Sequence, residues 1–316
     1  MHLSRFPAET SRNAGQVAIR PAAPYDRDVV RPVASVALLT VLAGHGLACN
    51  GVPNDSTGAE TTASSTFALV SIQRSSSGVS PTPRVELVAR FVRSRAEATA
   101  TFAALGSSLG MPQLGMCAPL SSLAATSDDS TGPIELLDVG RVEVASGDTA
   151  NASRQTVLEP RELPNLGDFA RGTFYALAAS SDATPGARYD VKVGGSNDFG
   201  PLFVSGIAPQ EPSHIAFNGV VATGSSINLS NARALRITWM SDDTTANTAN
   251  DIVYVDTSDA TAHETMRCAV ADTGVAEVPP PAGERGQVEV HRLRRHAATP
   301  TTELRFDFYR SFTFAR

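Results

Sequence analysis

The chain has 316 residues, of which 42% are hydrophobic and 18% are charged, and its formal net charge is -6. Lys192 is its only lysine, and no basic stretch is extensive enough to neutralise a phosphate backbone. We therefore expect no nucleic-acid partner. The part of the chain after residue 49, about 265 residues, is long enough for two domains of ordinary size.

Residues 1–29 are polar and have no hydrophobic period. A signal peptide rarely follows so long a leader, whereas a valine codon such as GTG can initiate translation. A start at Val30 would give an n-region of ordinary length. We therefore interpret residues 1–29 as an extension of the gene model, expect them to be disordered, and leave them out of the fold prediction.

Residues 30–49 have the composition of an export signal. Arg31 supplies a positive charge, and Val33 to Ala43 form an apolar run of roughly a dozen residues. A membrane-spanning helix needs about 20 apolar residues, so this run is too short to cross a bilayer. Small residues and then Cys49 follow the run.

A signal segment that ends in a cysteine resembles a bacterial lipoprotein signal, in which the thiol is diacylated and becomes the first residue of the mature chain. Ala48 fits that pattern, whereas Gly46 and Leu47 depart from it. The resemblance implies lipidation of Cys49. Ordinary cleavage near Ala48 and an uncleaved short anchor are the alternatives.

Residues 50–65 are rich in Ser, Thr, Gly, Asn and Asp and have few bulky apolar side chains. Such a stretch cannot bury enough apolar surface to fold. We predict that it is a flexible tether between the lipid anchor and the folded part.

Residues 66–212 are predicted to form a β-rich domain, because apolar and polar residues alternate with a period of two. AEATATFAAL has the composition of a helix, but its threonines also suit a strand, and we predict a strand there. Residues 106–132 are predicted to be a long loop. The remaining predicted strands are TFALVSIQRS, VELVARFVR, IELLDVGRVEVAS with a kink at Gly140, QTVLEP closed by Pro160, TFYALAAS, a strand within ATPGARYDVKVGGS, and PLFVSGIAP.

Residues 213–316 show about seven short strands in roughly 100 residues, which is typical of an immunoglobulin-like sandwich. Leu235, Ile237 and Trp239 lie on one face of a predicted strand, where a core can accept a large ring. The predicted strands are HIAFNG, SINLS, ALRITWM, DIVYVDTS, MRCAVAD, QVEVHRLR and TELRFDFYRSFTFA. The last is apolar enough that we expect it to be paired within a sheet.

Three short segments, PGARYDVKVGG, ALRITW and MRCAVADTG, resemble those of cell-envelope lipoproteins from high-GC Gram-negative bacteria. Those proteins pair a β-rich N-terminal module with an immunoglobulin-like C-terminal one. The resemblance implies location and fold only. The predicted fold is therefore all-β, with two β-sandwich modules in tandem, the second immunoglobulin-like, after a signal segment and a flexible tether.

If Cys49 carries lipid, Cys117 and Cys268 remain as a pair. In an oxidising compartment the two can form a disulfide. They can equally be two unpaired, buried, apolar side chains. The sequence leaves both alternatives open.

No catalytic motif is present, so we predict no enzymatic activity and no cofactor. GGSND lacks the last glycine of a nucleophile elbow, and Lys192 is followed by Val193, unlike a P-loop lysine. HETMR begins like a zinc motif, but Arg267 stands where the second histidine is needed. We predict no metal site. Asp242, Asp243 and Asp251 are the calcium candidates, although a solvated hairpin loop explains them better.

The densest basic cluster is HRLRRH, in which Arg292, Arg294 and Arg295 are the candidates for contact with an anion. Anionic lipid, lipopolysaccharide or acidic polysaccharide would suit such a cluster. The alternative, which we favour, is the solvent-exposed face of an edge strand.

The predicted function is that of an exported, lipid-anchored outer-membrane protein, facing the periplasm or the surface, with a structural or adhesive role. Its predicted partners are the membrane, through the lipid, and another envelope protein or a polysaccharide. A carbohydrate- or small-ligand-binding protein is the alternative and would need an exposed aromatic platform. The candidates for that platform are Tyr175, Tyr189, Tyr254 and Tyr309. A hydrolase would require Asp, Glu or His side chains that converge in space.

Overall fold

The computed structural model describes residues 64–77, 80–106, 109–123, 134–147, 154–163, 170–178, 183–229, 233–242, 251–260 and 264–316. All of them belong to one compact unit, Gly58–Arg316. The predicted gene-model extension, the signal segment with Cys49, and the tether up to residue 63 lie outside the described residues. No helix in the described ranges is long and apolar enough to cross a membrane.

The described residues of the first part of the chain form strands and two short helices. The elements are β1 (Ser65–Ser77), β2 (Ser80–Ser94), α1 (Ala98–Ala104), β3 (Cys117–Pro119), α2 (Leu120–Leu123), β4 (Ile134–Leu136), β5 (Val142–Gly147), β6 (Arg154–Leu163), β7 (Ala170–Ala178), β8 (Arg188–Val193) and β9 (Leu202–Ile207).

The described ranges of the second part contain strands alone. They are β10 (Ala216–Phe217), β11 (Val220–Val221), β12 (Ser226–Asn228), β13 (Leu235–Thr238), β14 (Ile252–Asp259), β15 (Thr265–Ala271), β16 (Val275–Val278), β17 (Arg285–Thr299) and β18 (Thr302–Ala315). The prediction of an all-β fold is confirmed.

Two predictions for the first part are wrong. AEATATFAAL contains helix α1, whose alanines favour a helix, and Phe102 packs edge-on against Phe67 on β1 at 5.8 Å. Pro160 does not end its strand, since β6 continues to Leu163. The strand changes its pairing partner beside this proline. Up to Leu158 the strand pairs with β5, and from Glu159 onward it pairs with β7. A proline is tolerated where the strand has a partner on one side only.

Two further features of the first part bear on the predicted loops. The predicted long loop contains β3 and α2 among its described residues. At the predicted kink, Gly140 has a φ of 72°, and an added Cβ would lie 2.9 Å from the carbonyl oxygen of Gly195. The turn therefore requires glycine.

A 14-stranded sheet runs through the whole described part. Its order is β3-β15-β14-β17-β18-β1-β2-β4-β7-β6-β5-β8-β9, and β12 pairs with β18 off this path. The C-terminal strand β18 lies beside the N-terminal strand β1, in a parallel pair from Ala68↔Thr302 to Ser77↔Ser311. The two ends of the folded part are thus neighbours at the centre of the sheet.

The first apolar core is enclosed by this sheet where it folds over on itself. Its buried side chains come from β1, β2, β5 to β9 and the first half of β18. Arg294 and His296 on β17 reach across to the Ile207 carbonyl oxygen on β9, at 3.3 and 3.2 Å. These bonds bring the free edge of β9 back towards the C-terminal hairpin.

The second apolar core is a β-sandwich. A four-stranded sheet, β11-β10-β13-β16, packs against β15, β14, β17 and β18 of the large sheet. The chain passes repeatedly between the two sheets, as in an immunoglobulin-like domain, and β12 runs parallel to β18. Trp239 is 5% exposed in this core, and Leu235 and Ile237 lie on the same face, as predicted.

The hairpin β17–β18 belongs to both cores. Phe306 and Phe308 are fully buried in the first core, whereas Phe312 and Phe314 are buried in the second. A strand of this length spans about 45 Å, enough to reach through two modules. Apart from this hairpin and Cys117, the residues of the two cores separate close to the predicted boundary at residues 212 and 213.

Candidate functional site

A layer of polar side chains covers the face of the large sheet that points away from the sandwich core. Strand alternation places Val255, Cys268 and Val290 in the second core and their neighbours on the opposite face. We call these neighbours the polar layer. They are Tyr254 and Asp256 on β14, Arg267 on β15, Glu289 and His291 on β17, and Asp307 and Tyr309 on β18.

His291 is the centre of the polar layer and is 3% exposed. Its ring stacks between those of Tyr254 and Tyr309, with centroid distances of 4.1 and 4.3 Å. Its Nδ1 lies 3.0 Å from Asp307 Oδ1, and the Tyr254 hydroxyl donates to Asp307 Oδ2 at 2.7 Å. On the other side of the ring, Nε2 lies 3.5 Å from Glu289 Oε2 and makes no hydrogen bond.

The surroundings of His291 stabilise its charged form. Burial alone lowers the pKa of this imidazole, but attraction to Asp307, the hydrogen bond with Asp307 and the contact with the Glu289 carboxylate outweigh burial. Together they raise the pKa of His291 from 6.5 to about 9. The same burial and the same carboxylate raise the pKa of the Tyr254 hydroxyl well above 10, because a phenolate beside Asp307 would be repelled.

Arg267 holds Asp256 in place at the edge of the polar layer. Its Nε and one terminal nitrogen donate to the two carboxylate oxygens at 2.8 and 2.6 Å, a bidentate pair. The guanidinium also lies 4.6 Å from the centroid of the Tyr254 ring, where a cation is attracted to the π face. Burial lowers the pKa of Arg267, but the bonds and attraction to Asp256 outweigh burial and raise that pKa.

The described residues of segment 105–116, which we call the covering segment, lie over this face of the sheet. Three of its carbonyl oxygens accept hydrogen bonds from arginines on three different strands. The pairs are Arg90 on β2 with Leu105 at 2.7 Å, Arg305 on β18 with Gly106 at 3.2 Å, and Arg267 on β15 with Leu109. These bonds satisfy carbonyl groups of an irregular segment and keep it on the polar face.

A disulfide fixes the end of the covering segment. Cys117 on β3 and Cys268 on β15 are directly opposite in an antiparallel pair, with a Cα–Cα distance of 4.0 Å, and they are bonded. Two backbone bonds extend the pairing upstream: Gly115 donates to the Ala269 carbonyl, and Ala269 donates to the Met116 carbonyl. Of the two alternatives that the sequence left open, the structure has the disulfide.

The predicted anion contacts are placed differently from the expectation. β17 is not an edge strand, because it lies between β14 and β18, so the expected solvent-exposed arginine face is wrong for Arg292 and Arg294, both 1% exposed. Arg292 donates to the Gln210 and Met240 carbonyls and pairs with Asp272 at 2.8 Å. Neither guanidinium is accessible to an external anion.

Asp272 has a second partner, and Arg295 is placed differently from Arg292 and Arg294. Asp272 also accepts the indole N–H of Trp239 at 2.6 Å, so the buried indole has a partner. Arg295 points to the other face, where it pairs with Glu303, and its side chain is 45% exposed.

Two calcium candidates are ion-pair partners of Arg294 in the structure. Asp251 accepts from Arg294 Nε at 2.6 Å, and Asp242 accepts from a terminal nitrogen at 3.1 Å. Burial lowers the pKa of Arg294, but both carboxylates outweigh it and raise that pKa. A buried guanidinium thus occupies the place that a cation would need, while Asp243 lies outside the described residues.

The proposed aromatic platform is not assembled. Tyr175, Tyr189 and Tyr254 are 0%, 2% and 1% exposed, so none of these rings offers a face to a sugar. The Tyr175 hydroxyl donates to Asp138 at 2.7 Å, and burial followed by this bond raises the pKa of Tyr175 to about 12. Tyr309 is half-buried and stacks on His291.

Sequence reasoning missed the polar layer. The available signal was the pair Glu289 and His291, which are two residues apart in a predicted strand and so must share a face. Their partners Tyr254, Asp256 and Asp307 come from two other strands, and only the register of pairing brings them together. Three side chains of this layer, Asp256, Glu289 and His291, have candidate metal-ligand atoms that lie within 4.8 Å of one another.

The sequence matches no protein-family profile, and no curated protein matches it. Among solved structures, the FN1-FN3 domains of chicken CNTN1 match with 10% identity and a TM-score of 0.21. The match covers 76% of this chain and 62% of that one, so this chain spans less than two thirds of that structure. A TM-score this low does not indicate a shared fold or function.

Proposed function

We propose that the protein is exported to the cell envelope, is anchored there by lipid on Cys49, and has a structural or interaction role without catalysis. The observation that carries the proposal is the disulfide between Cys117 and Cys268. Disulfides persist in oxidising compartments and are rare in the bacterial cytosol. A bonded pair on adjacent strands therefore supports the export that residues 30–49 predict.

One described cleft and three buried tyrosines give no support to small-ligand binding. A cleft lined by Thr257, Asp259, Met266 and residues 279–282 has a volume of about 90 Å³. Pockets for drug-sized ligands have volumes of about 300–1,000 Å³. This cleft is too small for such a ligand, and the buried tyrosines give no stacking platform. An immunoglobulin-like module commonly presents its surface to another macromolecule, although this argument is by analogy of fold.

The absence of catalysis is proposed from the position of His291. The pair His291 and Asp307 has the geometry of a base and its orienting carboxylate. However, His291 is 3% exposed, and its Nε2 faces Glu289 and not a hydroxyl or thiol. The buried imidazole is therefore not open to a substrate.

Metabolic palmitate labelling with membrane fractionation tests the anchor. We expect label in the wild type and none in Cys49→Ala, which would leave the membrane fraction. Cys117→Ala is the matched control, since it removes a cysteine outside the signal and should keep the label. An unlabelled, soluble wild type would overturn lipid anchoring. Free thiols at Cys117 and Cys268 in protein taken directly from cells would count against export.

A further inference from the structure

Three side chains that commonly bind metals meet on the polar face of the large sheet. Glu289 and His291 are two residues apart on β17, so they project from the same face. Asp256 on β14 is the residue directly opposite Glu289 in the antiparallel pair. The candidate ligand atoms of the three lie within 4.8 Å of one another, which is close to twice a metal–ligand bond length of about 2.0–2.4 Å.

A buried nitrogen atom points into this group. Nε2 of His291 is inaccessible to solvent and has no hydrogen-bond partner, and Glu289 Oε2 lies 3.5 Å from it. A hydrogen bond between nitrogen and oxygen is usually 2.7–3.2 Å long, so this contact is too long to satisfy the ring. Buried polar atoms normally have partners, and a metal ion between the two groups would provide one.

The other side of the His291 ring is arranged as in metal sites. Nδ1 lies 3.0 Å from Asp307 Oδ1, and Asp307 is itself held by the Tyr254 hydroxyl. A carboxylate that accepts from the far nitrogen of a ligating histidine fixes the tautomer and the ring orientation and raises its basicity. The two stacked tyrosines also prevent rotation of the ring. These contacts fix the ring with Nε2 directed towards Glu289, as the ligand atom.

The charges around the group favour a cation. Arg267 balances Asp256, whereas Glu289 and Asp307 are carboxylates whose only ion-pair partner in the described part of the chain is His291. Asp256 accepts one hydrogen bond on each oxygen from Arg267, and each oxygen keeps a further lone pair. Glu289 has an exposed fraction of 26% in its side chain and marks the side from which an ion can enter.

We propose that Asp256, Glu289 and His291 form a binding site for a divalent transition-metal ion, with Asp307 and Tyr254 as the positioning residues behind it. An imidazole ligand favours zinc and its neighbours over calcium or magnesium, which take oxygen ligands. This site is distinct from the calcium candidates Asp242 and Asp251, which form ion pairs with Arg294. It does not depend on the proposed lipid anchor.

Titration of the purified, metal-free chain with Zn²⁺ tests the site, in a mildly alkaline buffer because a proton competes for Nε2. We expect one ion per chain. The affinity should be at least about tenfold lower in Glu289→Gln, because the loss of a ligand should cost no less than the loss of a group that only positions one. The control Glu277→Gln, on β16 opposite Arg236, should bind like the wild type. A wild type that binds no zinc, or a Glu289→Gln variant that binds equally well, would overturn the proposal.

A second measurement needs no variant. Zinc K-edge absorption of the loaded wild type should show one imidazole nitrogen with oxygen ligands. A ligand shell without imidazole would place the ion elsewhere and refute the assignment. Should Glu289→Gln unfold, this spectrum alone decides the question.

Discussion

Because the C-terminal hairpin β17–β18 contributes to both cores, two matched substitutions in it should affect the stability of both. Phe306→Ala removes a ring that is fully buried in the first core, 5.3 Å from the Tyr189 ring and 6.2 Å from the Phe308 ring. Phe312→Ala removes a ring that is 1% exposed in the second core, 5.2 Å from the Phe217 ring. Each change should lower the free energy of unfolding by about 3–5 kcal/mol, from lost burial and the cavity left behind.

The assay is urea unfolding, followed both by Trp239 fluorescence and by far-UV circular dichroism. Trp239 is the only tryptophan and lies in the second core, so its fluorescence reports on that core alone. Because one hairpin belongs to both cores, we expect Phe306→Ala to shift the Trp239 transition as well. With a urea slope of about 3 kcal/mol/M, the midpoint should fall by about 1–2 M in both variants.

An exposed residue of the same part of the chain supplies the control. Val157 on β6 is 41% exposed, and Val157→Ala should change the free energy of unfolding by no more than about 0.5 kcal/mol. If Phe306→Ala shifted the circular dichroism transition but left the Trp239 midpoint unchanged, the two cores would unfold independently. The reasoning about the shared hairpin would then be wrong.

Two further predictions concern the buried ion pairs and the disulfide. Arg294→Met leaves Asp242 and Asp251 buried without their cation and should lower the free energy of unfolding in urea by about 3–5 kcal/mol. The control Arg188→Met breaks an exposed ion pair with Asp190 and should lower it by at most about 1 kcal/mol. Equal losses in the two variants would refute the distinction between buried and exposed pairs. The double variant Cys117→Ser/Cys268→Ser removes a disulfide that joins residues 151 positions apart in the sequence. From the chain entropy of the unfolded state, its loss should lower the free energy of unfolding by up to about 5 kcal/mol. The midpoint of the double variant should match that of reduced wild type, and a midpoint equal to that of oxidised wild type would contradict the estimate.

The local sequence pattern was sufficient to predict those features of a strand that do not depend on which strands lie beside it. The alternation of Leu235, Ile237 and Trp239 predicts which face is buried, because successive side chains of any strand point to opposite sides. The apolar C-terminal strand is paired on both sides, as its composition required. In α1 the local signal was ambiguous, and contact between Phe102 and Phe67 accompanies the helix that formed.

The sequence by itself determined the strand-rich class and the alternation of faces, since these depend on residues close together in the chain. Only the tertiary structure decided that Arg294 is buried beside Asp251, that Cys117 meets Cys268, and that His291 lies between two tyrosines. Each of these contacts joins residues on different strands. Their proximity is set by strand order and register, which are long-range properties that a local period of two does not encode.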